Sequence, residues 1–482
     1  MLTYDLTETS LPLYDALYSA VKADILSGRL APGEKLPSKR ALAQHLRLSV
    51  ATVQNAYAQL LAEGYLYSEE KRGYFVSTIG ESLPVPPQKT QRKGSADLEP
   101  TPRPVWFADL VSNSISAEDF PFTVWSRTMR RVILEKEKQL LLPLEFNGTP
   151  ELRRAIADHL ARFRGLSVDP AQIIVGAGTE YLYTLVIQLL GRECRYAVED
   201  PGYAKIRRVY AASGVSFCTV PLDEQGLSVQ ALEESGAQCV HISPSHHYPT
   251  GIVMPVGRRR ELLRWASQAP ERYIIDDDYD SEFRFSGRPI PTMMSIDEND
   301  RVIYMNTFSK TIAPSIRISY MVLPAPLMER FKRAFSFYAC TVSGFEQYTL
   351  AAFMAEGHFE RHLSRMKNRY RTKRDAILAA IRESGLSDLA TVYEPNAGLH
   401  FLLHLHTDTD DETIKKNAAE RGIRISALMD YLADVSHTDF GLPCRHTFVI
   451  NYSGVEADKF PEIFRRLAES CGGGESPLTS RG

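Results

Sequence analysis

A chain of 482 residues with 44% hydrophobic and 24% charged side chains has the make-up of folded globular protein and is long enough for at least two cores. Its net charge of −3 excludes indiscriminate attraction to nucleic acid, so any contact with DNA must come from local clusters and from symmetry. No apolar run approaches the ~20 residues of a membrane span. Met1-Leu2-Thr3-Tyr4-Asp5 lacks the basic start and apolar stretch of a signal peptide, so a cytoplasmic location is expected. The six cysteines show no metal spacing and read as reduced, mostly buried thiols.

Leu13, Leu17, Val21 and Ile25 recur at helical spacing, and Gly28 can end that first helix. Leu36-Pro37-Ser38 starts a second, with Ser38 as N-cap and Leu42 and Leu46 facing inward. Ser49 caps a third that runs to Glu63, with Val53, Tyr57, Leu60 and Leu61 inside. Its opposite face offers Ala51, Thr52, Gln54 and Asn55, small or amide side chains that fit a major groove and reach base edges. Tyr65-Leu66-Tyr67 and Tyr74-Phe75-Val76 read as a hairpin closed around Glu69–Gly73, a wing with Lys71, Arg72 and Gly73 at its tip. Residues 79–105, rich in Pro, Gln, Lys, Ser and Thr, offer little to bury and are expected to be a flexible linker.

From Trp106 onward apolar strands alternate with amphipathic helices, which predicts a mostly parallel sheet covered on both faces, with ligand sites at the C-terminal strand ends. Gln172–Val175 runs into Gly176-Ala177-Gly178-Thr179, a turn and helix start able to cradle a phosphate. Asp200-Pro201-Gly202-Tyr203 leaves the next strand, and Tyr203 either covers a flat ring or plugs the domain surface. Cys239–Pro244 ends in a loop with His246 and His247, without Cys, Asp or Glu at ligand spacing, so no metal is expected.

Tyr273-Ile274-Ile275 runs into Asp276-Asp277-Asp278-Tyr279-Asp280. Acids crowded at a strand end repel one another unless a cation sits there, and a protonated pyridine nitrogen is such a cation; Mg²⁺ is the competing reading, though no phosphate-transfer loop accompanies it. Strand alternation points Asp277 and Tyr279 to one face, where one reaches a ring nitrogen and the other a phenolic oxygen; Asp276 and Asp278 point to the other. Another strand, Arg301–Met305, precedes Thr307-Phe308-Ser309-Lys310, with Arg317 seven positions on. A lysine at a strand end, hydroxyls beside it and a guanidinium for a phosphate are what Schiff-base chemistry with pyridoxal 5′-phosphate requires.

Two resemblances follow. Leu36-Pro37-Ser38-Lys39-Arg40-Ala41-Leu42-Ala43 and the Ser49–Gly64 helix resemble the winged-helix head of GntR-family repressors, with Lys39 where that family usually has glutamate. Phe146–Arg153 and the strand-end motifs look like fold-type-I, aspartate-aminotransferase-like enzymes, and head plus body resembles the MocR-type branch of GntR regulators. The resemblance implies a multidomain chain: a small α+β winged helix-turn-helix domain (1–78), then a large α/β aminotransferase-like body (106–472) and a disordered tail (473–482). It also implies Lys310 as the Schiff-base lysine, Asp277 at the ring nitrogen, Tyr279 at the ring oxygen and Tyr203 over the ring. Gly178, Thr179, Thr307, Ser309 and Arg317 would surround the phosphate, in a head-to-tail homodimer.

Two departures bear on activity. Tyr248 stands where aminotransferases carry asparagine before Pro-Thr-Gly, and Val449 where they carry the arginine for the substrate carboxylate. Arg424 or Arg445 is the expected substitute anchor. The expected function is therefore a dimeric regulator of transcription that binds double-stranded operator DNA. Ser38, Lys39, Arg40, Ser49, Thr52, Asn55 and the Lys71–Gly73 wing would make the contacts. Its body would sense pyridoxal phosphate, or an amine or amino acid that reacts with it. The competing reading is a working aminotransferase with an accessory DNA-binding head.

Overall fold

The computed structural model describes residues 2–4, 6, 12–78, 104–112, 118–285, 290–393 and 398–471. Two compact units divide the chain, Met1–Arg103 and Pro104–Gly482. The expected linker lies outside the described residues except at 104–105, and the expected tail lies wholly outside them.

The first unit has three helices, Leu13–Leu26, Lys39–Leu46 and Val50–Ala62, whose apolar stripes meet in one core around Leu17, Val21, Leu42, Val53 and Leu60. The Ser38 hydroxyl accepts from the Ala41 amide at 3.2 Å and the Ser49 hydroxyl from the Thr52 amide at 3.0 Å, so both serines cap as their positions require. Strands Leu66–Glu69 and Gly73–Val76 pair as the wing. A third strand, Lys35–Leu36, adds to the hairpin opposite Phe75 and Tyr74. Leu36 thus belongs to the sheet, not to the start of the second helix. Pro37 explains this, because the residue before a proline is held out of helical backbone.

The second unit is built on an eight-stranded sheet. Its order is Ile173–Gly176, Ser319–Val322, Val302–Thr307, Tyr273–Asp277, Cys239–Ile242, Tyr196–Asp200, Phe217–Asp223 and Gly226–Leu227. The central pairings are parallel, whereas Ser319–Val322 runs against both neighbours. Alternate residues feed separate cores. Ile303 and Met305 pack with Leu182 and Phe331 on one face, while Tyr304 packs with Ile156 and Leu350 on the other. Both faces are therefore buried, as a parallel sheet requires. A smaller antiparallel sheet of Ala390–Tyr393, His400–Leu405, Thr447–Asn451 and Ser426–Ala427 packs on the long helix His358–Glu383 and on Phe460–Cys471. No helix among the described residues is long and apolar enough to cross a membrane.

Candidate functional site

The sheet topology collects the sequence motifs at one edge. Gly176, Asp200, Ile242, Asp277 and Thr307 are the C-terminal residues of co-directional strands, and the reversed strand begins at Ser319, opposite both Gly176 and Thr307. A cavity of about 410 Å³ opens there, and Lys310, Asp277, Tyr279, Tyr203 and Arg317 all line it, with the Thr179, Thr307 and Ser309 hydroxyls.

Asp277 and Tyr279 share this face, while Asp278 on the opposite face pairs with Arg164 at 2.9 Å and Asp276 accepts from the Met293 amide at 2.9 Å. Alternation along the strand does this, since neighbouring side chains leave a strand on opposite sides. Asp277 Oδ2 accepts a short hydrogen bond from the Tyr183 hydroxyl and lies 3.4 Å from His241 Nε2. Its Oδ1 is buried and has no hydrogen-bond partner among the described residues. A buried carboxylate oxygen left unsatisfied on a residue that lines the cavity suits a ligand N–H, because an unsatisfied buried acceptor is costly.

Burial pushes the Lys310 amine down to about 8, with Lys205 adding to the effect and Asp280 opposing it. At neutral pH a sizeable minority of the amine is therefore uncharged and nucleophilic. The Thr307 hydroxyl accepts from the Ser319 hydroxyl at 2.8 Å and donates to that of Ser309 at 3.0 Å. Gly178 has φ +96°, and a Cβ there would stand 2.0 Å from Arg317 Nη2, so only glycine lets that guanidinium close over the turn. Tyr203 is 45% exposed and meets Tyr248 edge-on at 5.7 Å between ring centroids. The Tyr248 and Tyr431 hydroxyls are 2.9 Å apart. Below the cavity, the Tyr279 hydroxyl lies 3.3 Å from His246 Nδ1, which faces Asp280 at 2.9 Å, and the ring of His400 is 4.7 Å from that of His246.

The two arginines expected to anchor a carboxylate are elsewhere. Arg424 pairs with Asp109 at 3.2 Å and Arg445 is exposed; neither lines the cavity. The reason is register. Arg424 sits on a two-stranded parallel pairing with Asp109, and Arg445 precedes the Thr447–Asn451 strand, whose Val449 is wholly buried.

In the first unit, Ser38, Arg40, Ser49, Asn55, Lys71 and Arg72 are exposed, and Lys39, Thr52 and Gly73 are half-buried. The wing cations differ. Arg72 is bound to Glu69, whereas Lys71 stands at the tip in left-handed backbone, φ 61°. Lys39 Nζ lies 5.6 Å from the Tyr74 ring centroid, which ties the second helix to the wing.

Known proteins match both units. The family of aminotransferase class I and II matches residues 109–436, and the gntR family of bacterial regulatory proteins matches residues 13–76. The uncharacterized HTH-type transcriptional regulator YdeL of Bacillus subtilis is 34% identical over 95% of this chain and 96% of its own length. The probable rhizopine catabolism regulatory protein MocR of Rhizobium meliloti is 31% identical over 95% of this chain and 94% of its own. The chain is a MocR-type regulator of the gntR family. A multiple substrate aminotransferase of Thermococcus profundus has the same body fold, with TM-score 0.66 over 77% of this chain and 92% of that one at 24% identity.

MocR-type regulators join a DNA-binding helix-turn-helix head to a body whose fold family is pyridoxal-phosphate dependent. In this MocR-type chain, sequence reasoning did not assign several residues that line the cavity, Glu180, Tyr183, Lys205 and Ser112 among them. Tyr183 was findable, since it lies one helical turn beyond Thr179 and so on the same helix face. Ser112 was not, because it reaches the cavity through a hydrogen-bonded turn on Asp109.

Proposed function

We propose that the body of this regulator holds pyridoxal 5′-phosphate at Lys310, and that the head reads the occupancy of that site, or the arrival of an amine or amino acid that reacts there, as a change in affinity for operator DNA. The observation that carries the reading is the open Oδ1 of Asp277, buried in the same cavity as an amine pushed down to about 8. The bound cofactor would supply an electrophilic carbonyl carbon and an electron-accepting ring.

Each residue then has a defined task. Lys310 would offer its amine to the carbonyl, and Asp277 would accept from the ring nitrogen while Tyr183 keeps Oδ2 occupied. Tyr279 would be the partner of the ring oxygen, and Tyr203 would lie over the ring. Gly178, Thr179, Thr307, Ser309 and Arg317 hold the phosphate against the start of the Thr179–Leu190 helix. Arg424 and Arg445 do not line this cavity, so the reading assigns neither of them to the effector within one chain. On DNA, Thr52, Asn55 and the Lys71–Arg72 wing would set half-site choice and Arg40 would grip phosphate, with Ser38, Lys39, Ser49 and Gly73 also at the interface.

A head-to-tail homodimer supplies the symmetry that a near-neutral head needs. Leu134, Leu141, Leu142 and Phe337 are 67%, 85%, 64% and 78% exposed, apolar side chains that a second copy could cover. The domains would run 1–78, 106–472 and a tail from 473, joined by a linker at 79–105, in a cytoplasmic protein. The test is an absorption titration of the full chain with pyridoxal phosphate, wild type against Lys310→Ala, followed by a DNA shift assay on the region upstream of its own gene. A lysine-dependent visible band accompanied by altered DNA affinity is expected; no band would refute the reading.

A further inference from the structure

The cations that face the phosphate end of the cavity are already engaged by the chain itself. Arg317, in left-handed backbone at φ 52°, sends Nη2 to Glu180 Oε2 at 2.6 Å and to the Ala177 carbonyl at 3.3 Å. Lys205 Nζ donates to the other oxygen of the same carboxylate, Oε1. Glu180 stands in the first turn of the Thr179–Leu190 helix, where the helix dipole also favours its charge. Burial alone would raise its carboxyl; Lys205 and Arg317 instead hold it down to about 2. Glu180, Lys205 and Arg317 line one cavity with Thr179, Ser309 and Lys310.

Glu180 therefore occupies Arg317 with the same kind of charge-assisted contact that a phosphate would use. A monoanion offers Arg317 no more charge than Glu180 supplies. A phosphate ester near pH 7 carries almost two charges and three acceptor oxygens, and so outbids a single carboxylate. We propose that Glu180 is a specificity-determining residue of the phosphate seat: it competes with the ligand for Arg317, admits a dianionic phosphate ester in preference to monoanions, and keeps the body's affinity for its phosphorylated cofactor below what Arg317 and Lys205 alone would give. Lys205 retains the displaced carboxylate, so Glu180 remains beside the seat and the exchange is reversible. A weakened, readily exchanged seat suits a sensor, whereas an enzyme gains by holding its cofactor permanently. The proposal rests on the pyridoxal-phosphate reading above.

Equilibrium binding of pyridoxal phosphate and of pyridoxal, followed by quenching of intrinsic fluorescence in the full chain, tests it. Glu180→Gln keeps the shape and removes the charge; Glu180→Ala is the second variant should the amide find a new partner, and thermal melts check that both fold. The expected result is affinity for pyridoxal phosphate about two- to fivefold tighter in both variants, with affinity for pyridoxal unchanged and with acetate a stronger competitor than against wild type. Unchanged or weaker binding of pyridoxal phosphate by both variants, where wild type binds, would show that Glu180 merely orients Arg317 and would overturn this proposal alone. Failure of wild type and variants to take up either compound would overturn it together with the cofactor reading.

Discussion

Asp277 and Asp278 are neighbours in sequence and meet different surroundings. Asp278 Oδ2 is enclosed by Arg164 at 2.9 Å, the Tyr304 hydroxyl at 2.8 Å and the Ser281 hydroxyl at 2.9 Å, all from the protein. Beside it burial, reinforced by Asp278, pushes Asp276 up to about 7, and burial likewise pushes Glu282 up to about 7. The enclosed face thus relieves its repulsion through the Arg164–Asp278 ion pair and through burial that favours the neutral forms of Asp276 and Glu282. Asp277, on the cavity face, has one oxygen bound by Tyr183 and the other bare. One run of acids therefore has a structural side and a ligand side, and what separates them is whether the protein completes the hydrogen bonding.

The largest effect should come from breaking the enclosed side. Arg164→Ala strands the Asp278 carboxylate in the interior, and removing one partner of a buried pair costs about 3–5 kcal/mol. Denaturant unfolding of the full chain should show that loss, or no folded body at all. A change below about 1 kcal/mol would mean that water or a proton compensates Asp278. Asp277→Asn is the counterpart on the open side. It should leave the unfolding midpoint nearly unchanged but weaken pyridoxal-phosphate binding by roughly 10- to 100-fold, the worth of a hydrogen bond to a charged group. Equal destabilisation by both variants would erase the distinction between the faces.

The same strand shows how far the sequence reading reaches. Strand alternation alone divided Asp277 and Tyr279 from Asp276 and Asp278, because a period of two is local and survives any tertiary context. The helices of the head and the Ser38 and Ser49 caps were legible for the same reason: caps and apolar stripes act within a turn or two. Long-range partners were not. Nothing in the sequence near His246 announces that Asp280 and His400 will meet it, and the pairing of Arg424 with Asp109 depends on a register between segments that are far apart in the chain. Glu180 stood beside Thr179, which lines the cavity, yet its pairing with Arg317 and Lys205 needed the folded turn to be seen.

A pH series sharpens the ligand side further. Lys310 is held at about 8 by burial. The uncharged fraction of such an amine grows about tenfold per pH unit below that value and saturates above it. The rate of lysine-dependent band formation should therefore climb from pH 6 to 8 and flatten beyond. A climb continuing through pH 10 would mean that the amine is ordinary and solvated.

The finest test concerns the oxygen that the protein does satisfy. Tyr183→Phe removes the donor to Asp277 Oδ2 and leaves His241 Nε2, at 3.4 Å, as the nearest group to it. The folded chain should lose about 0.5–1.5 kcal/mol, the net value of one hydrogen bond, as read by denaturant unfolding. Binding should move the other way or not at all, because a carboxylate relieved of a short hydrogen bond is a stronger acceptor for the ring nitrogen through Oδ1. Tighter or equal cofactor binding in a less stable protein would show that Tyr183 serves the fold and Asp277 Oδ1 serves the ligand. Weaker binding would show instead that Tyr183 fixes the carboxylate's orientation, and the division would then run not between two residues but between the two oxygens of a single side chain.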